Sequence, residues 1–187
     1  MKCTETFIDG LLEIDLDIYS DERGFFYEAF NQKLFNEMTL SNYNFVQDNI
    51  SFSKKNVLRG LHYQLNNSQA KLVQVIKGKI LDVVVDLRRE SKTFGNYYSL
   101  ILSNENKKQL FVPKNFAHGF VTLKPESEIV YKCSHYYVPE SEKSISWEDP
   151  NIKICWPKFD KPILNTKDAV APILEDFKSP FIYGYNS

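Results

Sequence analysis

The chain of 187 residues sets 23 Lys and Arg against 24 Asp and Glu, a formal net charge of −1, so it offers no broad electrostatic surface for nucleic acid and any basic patch must be local. With 43% hydrophobic and 14% aromatic residues it can bury one sizeable core, and a single domain over 1–187 is expected. Three cysteines (Cys3, Cys133, Cys155) without CxxC spacing argue against a disulfide framework and a Cys-rich zinc site, and fit a reducing cytoplasm.

The start, MKCTETFIDG, has no apolar signal region, and no later run approaches the roughly 20 apolar residues of a membrane span. LLEIDLDI (11–18) alternates imperfectly, and GFFYEAF (24–30) follows a turn-like SDERG, so both are strand candidates. QKLFNEM (32–38) places Leu34, Phe35 and Met38 at helical spacing and predicts one short helix. Strands then dominate: NFVQDNISF, VLRGLHYQ, KLVQVIKG, KILDVVVDL, YYSLILS, QLFVP, GFVTL and EIVYKCSHYY, separated by turn material such as NNSQ, SNENK and PKN. A tail helix is expected from Asn165 to Phe177, capped by Asn165 or Thr166 and shortened or interrupted by Pro172. About ten short strands with few helices predict an all-β domain, either an eight-stranded jelly roll or a lipocalin-like barrel, with a ligand pocket at its mouth.

Three histidines carry most of the acid–base potential. His62 sits in NVLRGLHYQ with Arg59 three residues before it; His118 in PKNFAHGF serves equally well to orient a loop or to touch a ligand; His135, beside Tyr136 and Tyr137, reads as structural. No HxH or HExxH spacing is present, so no metal site is expected. GxSxG is missing, and so is any glycine-rich phosphate loop. A diphosphate would then fall to side chains such as Arg23, Arg59 and Lys71. In SEIVYKCSH, alternation puts Ile129, Tyr131 and Cys133 on one face, where Tyr131 is either core filler or a proton donor. Asp168, early in the tail helix, would by default complement the helix dipole.

Taken in order, DERGFFYEAF, FVQDNISFSKKNVLRGLHYQ, QAKLVQVIKGKILDVVVDLR, SNENKKQLFVPKNFAHGFVTL, EIVYKCSHYYVPESE and TKDAVAP resemble the dTDP-4-dehydrorhamnose 3,5-epimerases from about Asp21 to about Leu174. The resemblance implies an all-β fold, a cupin-type double-stranded β-helix (jelly roll) with a few short helices. It implies a homodimer without cofactor or metal, acting on a dTDP-linked 4-keto-6-deoxyhexose. Proton removal next to the C4 ketone needs a base and enolate stabilisation. By resemblance the base is His62, oriented by Asp168, with Lys71 at the growing oxyanion and Tyr131 reprotonating from the opposite face. Substrate contacts implied in the same way are Arg23, Glu28, Gln47, Asp48, Asn49, Arg59, His118, Glu142 and Lys167. Where many family members carry a Glu-Gly pair, this chain has Lys114 and Asn115. Its tail adds Phe181, Tyr183 and Tyr185, expected at a dimer edge.

The rival readings are an epimerase inverting C3 only or C5 only, a 3,4-ketoisomerase, a metal-dependent cupin oxygenase and a non-catalytic sugar binder. One structural expectation is independent of all of them. Residues 59 and 62 are an odd number apart and would point to opposite faces of a regular strand. If both line one pocket, an extra residue must be absorbed at Gly60.

Overall fold

The computed structural model describes residues 1–159 and 161–184. In chain order the elements are β1 (Lys2–Glu5), β2 (Leu12–Asp15), β3 (Tyr19–Asp21), β4 (Gly24–Phe26), α1 (Gln32–Thr39), β5 (Gln47–Ser53), β6 (Leu58–Gln64), β7 (Lys71–Lys77), β8 (Lys79–Asp86), β9 (Tyr97–Ser103), β10 (Gln109–Val112), β11 (Phe116–Thr122), β12 (Ser127–Cys133), β13 (Glu142–Ser144) and α2 (Thr166–Ala169). One antiparallel sheet runs β1-β2-β10-β7-β12-β5, a second β13-β6-β11-β8-β9, and β3 with β4 forms a separate hairpin. Strands distant in sequence lie side by side, β10 between β2 and β7 and β11 between β6 and β8. Two facing sheets with such crossovers make a cupin-type jelly roll, not the single up-and-down barrel that periodicity alone had left open.

Three apolar layers hold the two sheets. Val73, Val75, Ile80, Val84, Leu110 and Ile129 meet between them. Leu58, Leu61, Val83 and Val85 pack on the outer side of the five-stranded sheet beneath Ile152, Leu174 and Phe181 of the C-terminal segment. Leu12, Ile14, Leu72 and Phe111 pack on the outer side of the six-stranded sheet beneath Phe35 of α1. The continuous apolar run of β8 follows from this arrangement: Ile80 and Val84 face inward while Leu81, Val83 and Val85 face a second covered layer. Each such side chain contributes about 1.5–3 kcal/mol by leaving water.

The tail departs from the helix expected over 165–177. Asn165 caps α2 as expected, its side chain accepting from the Asp168 N–H at 2.7 Å, but the helix ends at Ala169. Pro172 disfavours helical geometry in the residue before it, and the chain resumes only as a 3-10 turn, Leu174–Asp176. Phe181 and Tyr183 make contacts within their own chain. Phe181 is buried edge-on against Tyr63, and Tyr183 covers the Arg88 guanidinium while its hydroxyl donates to Asp9 at 3.0 Å. Tyr185 lies outside the described residues.

Candidate active site

Along the inside of the roll, apolar packing gives way to polar side chains at one end. There β5 presents Asn49 and Ser51, β6 Arg59 and His62, β7 Lys71, β11 His118 and β12 Tyr131. They line two adjoining cavities of about 530 and 300 Å³ that share His62, Lys71, Tyr131 and Glu142.

His62 is fixed from both sides, paired across the sheet with His118 of β11 and with Ser144 of β13. Its Nε2 lies 2.6 Å from Oδ1 of Asp168, whose side chain is fully buried. The other oxygen of Asp168 accepts the Gly60 N–H at 3.1 Å. One turn of α2 thus holds both the imidazole and the backbone of β6, and Nδ1 is the ring nitrogen that Asp168 leaves free. A carboxylate behind an imidazole sets its tautomer and ring orientation.

The strand carrying this pair is irregular where expected. His118 opposes His62 and Phe120 opposes Arg59, so two residues of β6, Gly60 and Leu61, stand opposite the single Gly119. This is a β-bulge. Leu58, Leu61 and Tyr63 turn to the outer core while Arg59 and His62 both face the cavity. Gly60 has φ +122°, and a Cβ there would come within 2.6 Å of the Gly119 Cα and 2.9 Å of the His118 carbonyl oxygen. A Cβ on Gly119 would in turn meet the Arg59 carbonyl oxygen at 2.6 Å. Glycine is required on both strands so that the backbones can close over the bulge.

The remaining groups have matching chemistry. Burial pushes the Lys71 ammonium below its usual range, and nearby acidic groups including Asp82 and Glu142 work against that. Burial likewise pushes the Tyr131 hydroxyl up, which keeps its proton on at neutral pH. Arg59 is pinned by the Ser53 hydroxyl at 3.1 Å and the Phe52 carbonyl at 3.2 Å. Lys167 and the Tyr137 hydroxyl both donate to Oε2 of Glu142, at 3.4 and 3.1 Å. Gln47 and Asn49 line the smaller cavity and are joined at 3.0 Å.

Of the residues singled out in the sequence, the cavities gather His62, Lys71, Tyr131, Arg59, His118, Glu142, Lys167, Gln47 and Asn49, with Asp168 directly behind. Asp48 is not among them: between Gln47 and Asn49 it alternates to the outer face of β5 and pairs with Lys132 at 3.0 Å. Arg23 and Glu28 are also away from these cavities. Arg23 lies on the exposed β3–β4 hairpin, ion-paired to Asp21 with its side chain 86% exposed, and Glu28 is exposed just beyond it. His135 stays out of the cavity walls, its carbonyl accepting from Gln69. Sequence reasoning missed Ser51 and Tyr137, which line the cavities, and Asp82, which pairs with His118 and is one of two carboxylates, with Asp86, inside the apolar KILDVVVDL. Among the described residues, no group of three or more His, Cys, Asp or Glu side chains is arranged to hold a metal ion.

A jelly roll whose interior brings a His–Asp pair, a lysine and a tyrosine to one cavity holds the groups that an enzyme working by acid–base proton transfer requires. The family model for dTDP-4-dehydrorhamnose 3,5-epimerase matches residues 5–176. The enzyme of that name from Salmonella typhimurium is 51% identical over 176 residues, covering 94% of this chain and 96% of its own. The crystal structure of dTDP-6-deoxy-D-glucose-3,5-epimerase from Legionella pneumophila in complex with dTDP-4-keto-L-rhamnose superimposes with a TM-score of 0.94 at 47% identity, covering 100% of this chain and 99% of that one. A 3′-monoepimerase from Streptomyces bikiniensis, solved with dTDP-quinovose, is more distant: 32% identical, TM-score 0.86, covering 91% and 86%. This chain belongs to the dTDP-4-dehydrorhamnose 3,5-epimerase family.

Proposed function

We propose that the chain inverts C3 and C5 of dTDP-4-keto-6-deoxy-D-glucose to give dTDP-4-keto-L-rhamnose, with His62 as base and Tyr131 as acid. The observation that carries this function is the grouping of His62, backed by buried Asp168, with Lys71 and Tyr131 around one cavity. His62 takes the proton next to the C4 ketone. The electron pair moves onto the C4 oxygen, where the Lys71 ammonium stabilises the enolate. Tyr131 returns a proton to the carbon from the opposite face, inverting it, and the same groups act at the second carbon. Arg59, with Ser53 and Phe52 fixing its guanidinium, is placed to hold the diphosphate.

Arg23 and Glu28 do not reach their own chain's cavities, so in this scheme they serve those of a second copy. Support for a homodimer comes from the outer face of the six-stranded sheet. Ile50 and Phe52 of β5 and Ile76 of β7 are exposed there, and the arm beside it exposes Tyr19, Phe25 and Phe26. Gln74 of β7 donates to the Tyr27 hydroxyl at 3.2 Å, which sets the arm along this same face. No helix among the described residues is long and apolar enough to cross a membrane, and the three cysteines are unpaired. A cytoplasmic enzyme fits the free thiols.

Inversion of one carbon alone is the second possibility, because a monoepimerase shares the fold. Proton NMR of the substrate in D₂O with the wild-type enzyme separates the outcomes. Deuterium is expected at both C3 and C5. Entry at a single carbon would make the chain a monoepimerase, and no entry would leave a sugar-nucleotide binder.

A further inference from the structure

Two buried amides interrupt the apolar outer face of the six-stranded sheet. Gln74 of β7 and Gln109 of β10 stand directly opposite each other, two residues along each strand from the Leu72–Phe111 pair that packs beneath α1. Amides at such positions are retained only where their hydrogen bonds are made. Here Gln109 Nε2 donates to Gln74 Oε1 at 3.1 Å and to the Ala29 carbonyl at 2.7 Å, and Gln74 Nε2 donates to the Tyr27 hydroxyl at 3.2 Å. Two of these bonds end on the segment leading out of the β3–β4 hairpin, on either side of the exposed Glu28. Further out, Phe25 stacks on Tyr27 with ring centroids 5.9 Å apart, and the Lys107 ammonium lies 4.3 Å from the centre of the Phe25 ring.

We propose that Gln74 and Gln109 are positioning residues for substrate binding: they clamp the arm so that Arg23 and Glu28 are presented to the cavity of a second copy. The inference rests on the reading above that the arm serves a neighbouring cavity. Neither amide lines a cavity of its own chain, because Val73 and Val75 take the inward positions of β7 and Gln74 points away. The hairpin itself, residues 19–26, is exposed throughout. An arm free to move would have to be ordered each time substrate bound, and anchors at Tyr27 and Ala29 remove much of that entropy loss beforehand. The clamp then acts on affinity rather than on turnover.

The test combines Gln74→Met with Gln109→Met, which replaces both amides by side chains of similar length and leaves neither of the pair as a buried unpaired group. KM for the nucleotide sugar is expected to rise roughly 5–30-fold, the equivalent of one or two lost hydrogen bonds, with kcat and dimer mass close to wild type. Co-expression with His62→Asn chains separates arm from cavity. In the mixed dimer the one working cavity belongs to the clamp variant and receives the intact arm of the His62→Asn chain, so a component with wild-type KM is expected to return. Wild-type KM in the double variant alone would overturn the proposal. So would a raised KM that the mixed dimer does not restore, since the defect would then lie in the variant's own cavity. Should the double variant not fold, Tyr27→Phe, which removes only the hydroxyl, decides by the same two measurements. Arg23→Ala co-expressed with His62→Asn checks the reading beneath. No recovery in that pair would remove the shared arm and this inference together; recovery there with indifferent clamp variants would remove the inference alone.

Discussion

At Tyr131 burial and chemistry point the same way. The desolvated phenol keeps its proton at neutral pH and sits in the cavity wall with His62, as a proton donor must. In the proposed scheme, replacing it by Phe leaves His62 and Lys71 able to form the enolate and removes only the donor. Tyr131→Phe is expected to keep part of the solvent exchange while epimerised product falls by orders of magnitude, measured by NMR and by coupled product assay. Equal loss of both would reassign Tyr131 to sugar positioning. Asn115 explains a departure noted in the sequence. It adopts φ +71°, a region glycine enters freely and asparagine tolerates better than other side chains, so it can stand where the resemblance implies a glycine. His62, Lys71 and Tyr131 were singled out by resemblance, and the structure brings them to one cavity. Asp82 was not, because nothing local shows that a carboxylate in one strand meets an imidazole 36 residues later.

Among the elements, β6 carries the most information. Its parity conflict between Arg59 and His62 was visible in nine letters, and Gly60 was the one residue able to resolve it. The structure resolves it there by a bulge opposite Gly119. Gly60→Ala introduces a Cβ against backbone atoms at a φ that L residues rarely adopt, at a cost of about 2–4 kcal/mol. A melting temperature lower by roughly 5–15 °C is expected, with activity reduced even where the protein is still folded, because Arg59 and His62 lose their common side. A variant as stable and active as wild type would contradict the bulge. Other elements were less legible. The short strands β1, β3 and β13 give too few alternations to be recognised. Asp48 shares a run with Gln47 and Asn49, and strand alternation separates what the run suggests.

The whole molecule is built with one covered and one partly open outer face. The C-terminal segment closes the five-stranded sheet, whereas α1 covers only part of the six-stranded sheet and leaves Ile50, Phe52 and Ile76 exposed. Side chains of this kind in solution favour association. Light scattering coupled to size exclusion is expected to give twice the 21.9 kDa chain mass for the wild type. Ile50→Asp combined with Phe52→Glu is expected to give the monomer with lowered activity, since Arg23 and Glu28 would then have no neighbouring cavity to enter. A fully active monomer would separate both residues from the substrate. Cavity composition and sheet order were only partly legible, because the partners of each strand are set by crossovers that periodicity does not encode.

The central claim is that His62, held by Asp168, removes both protons. Deuterium exchange at C3 and C5 of dTDP-4-keto-6-deoxy-D-glucose, followed by proton NMR in D₂O with His62→Asn, tests it most directly. Asparagine preserves size and polarity but cannot take a proton near neutral pH. Exchange at both carbons is expected to fall to the uncatalysed rate while dTDP binding persists; appreciable exchange at either carbon in the folded variant would contradict it and place the base elsewhere.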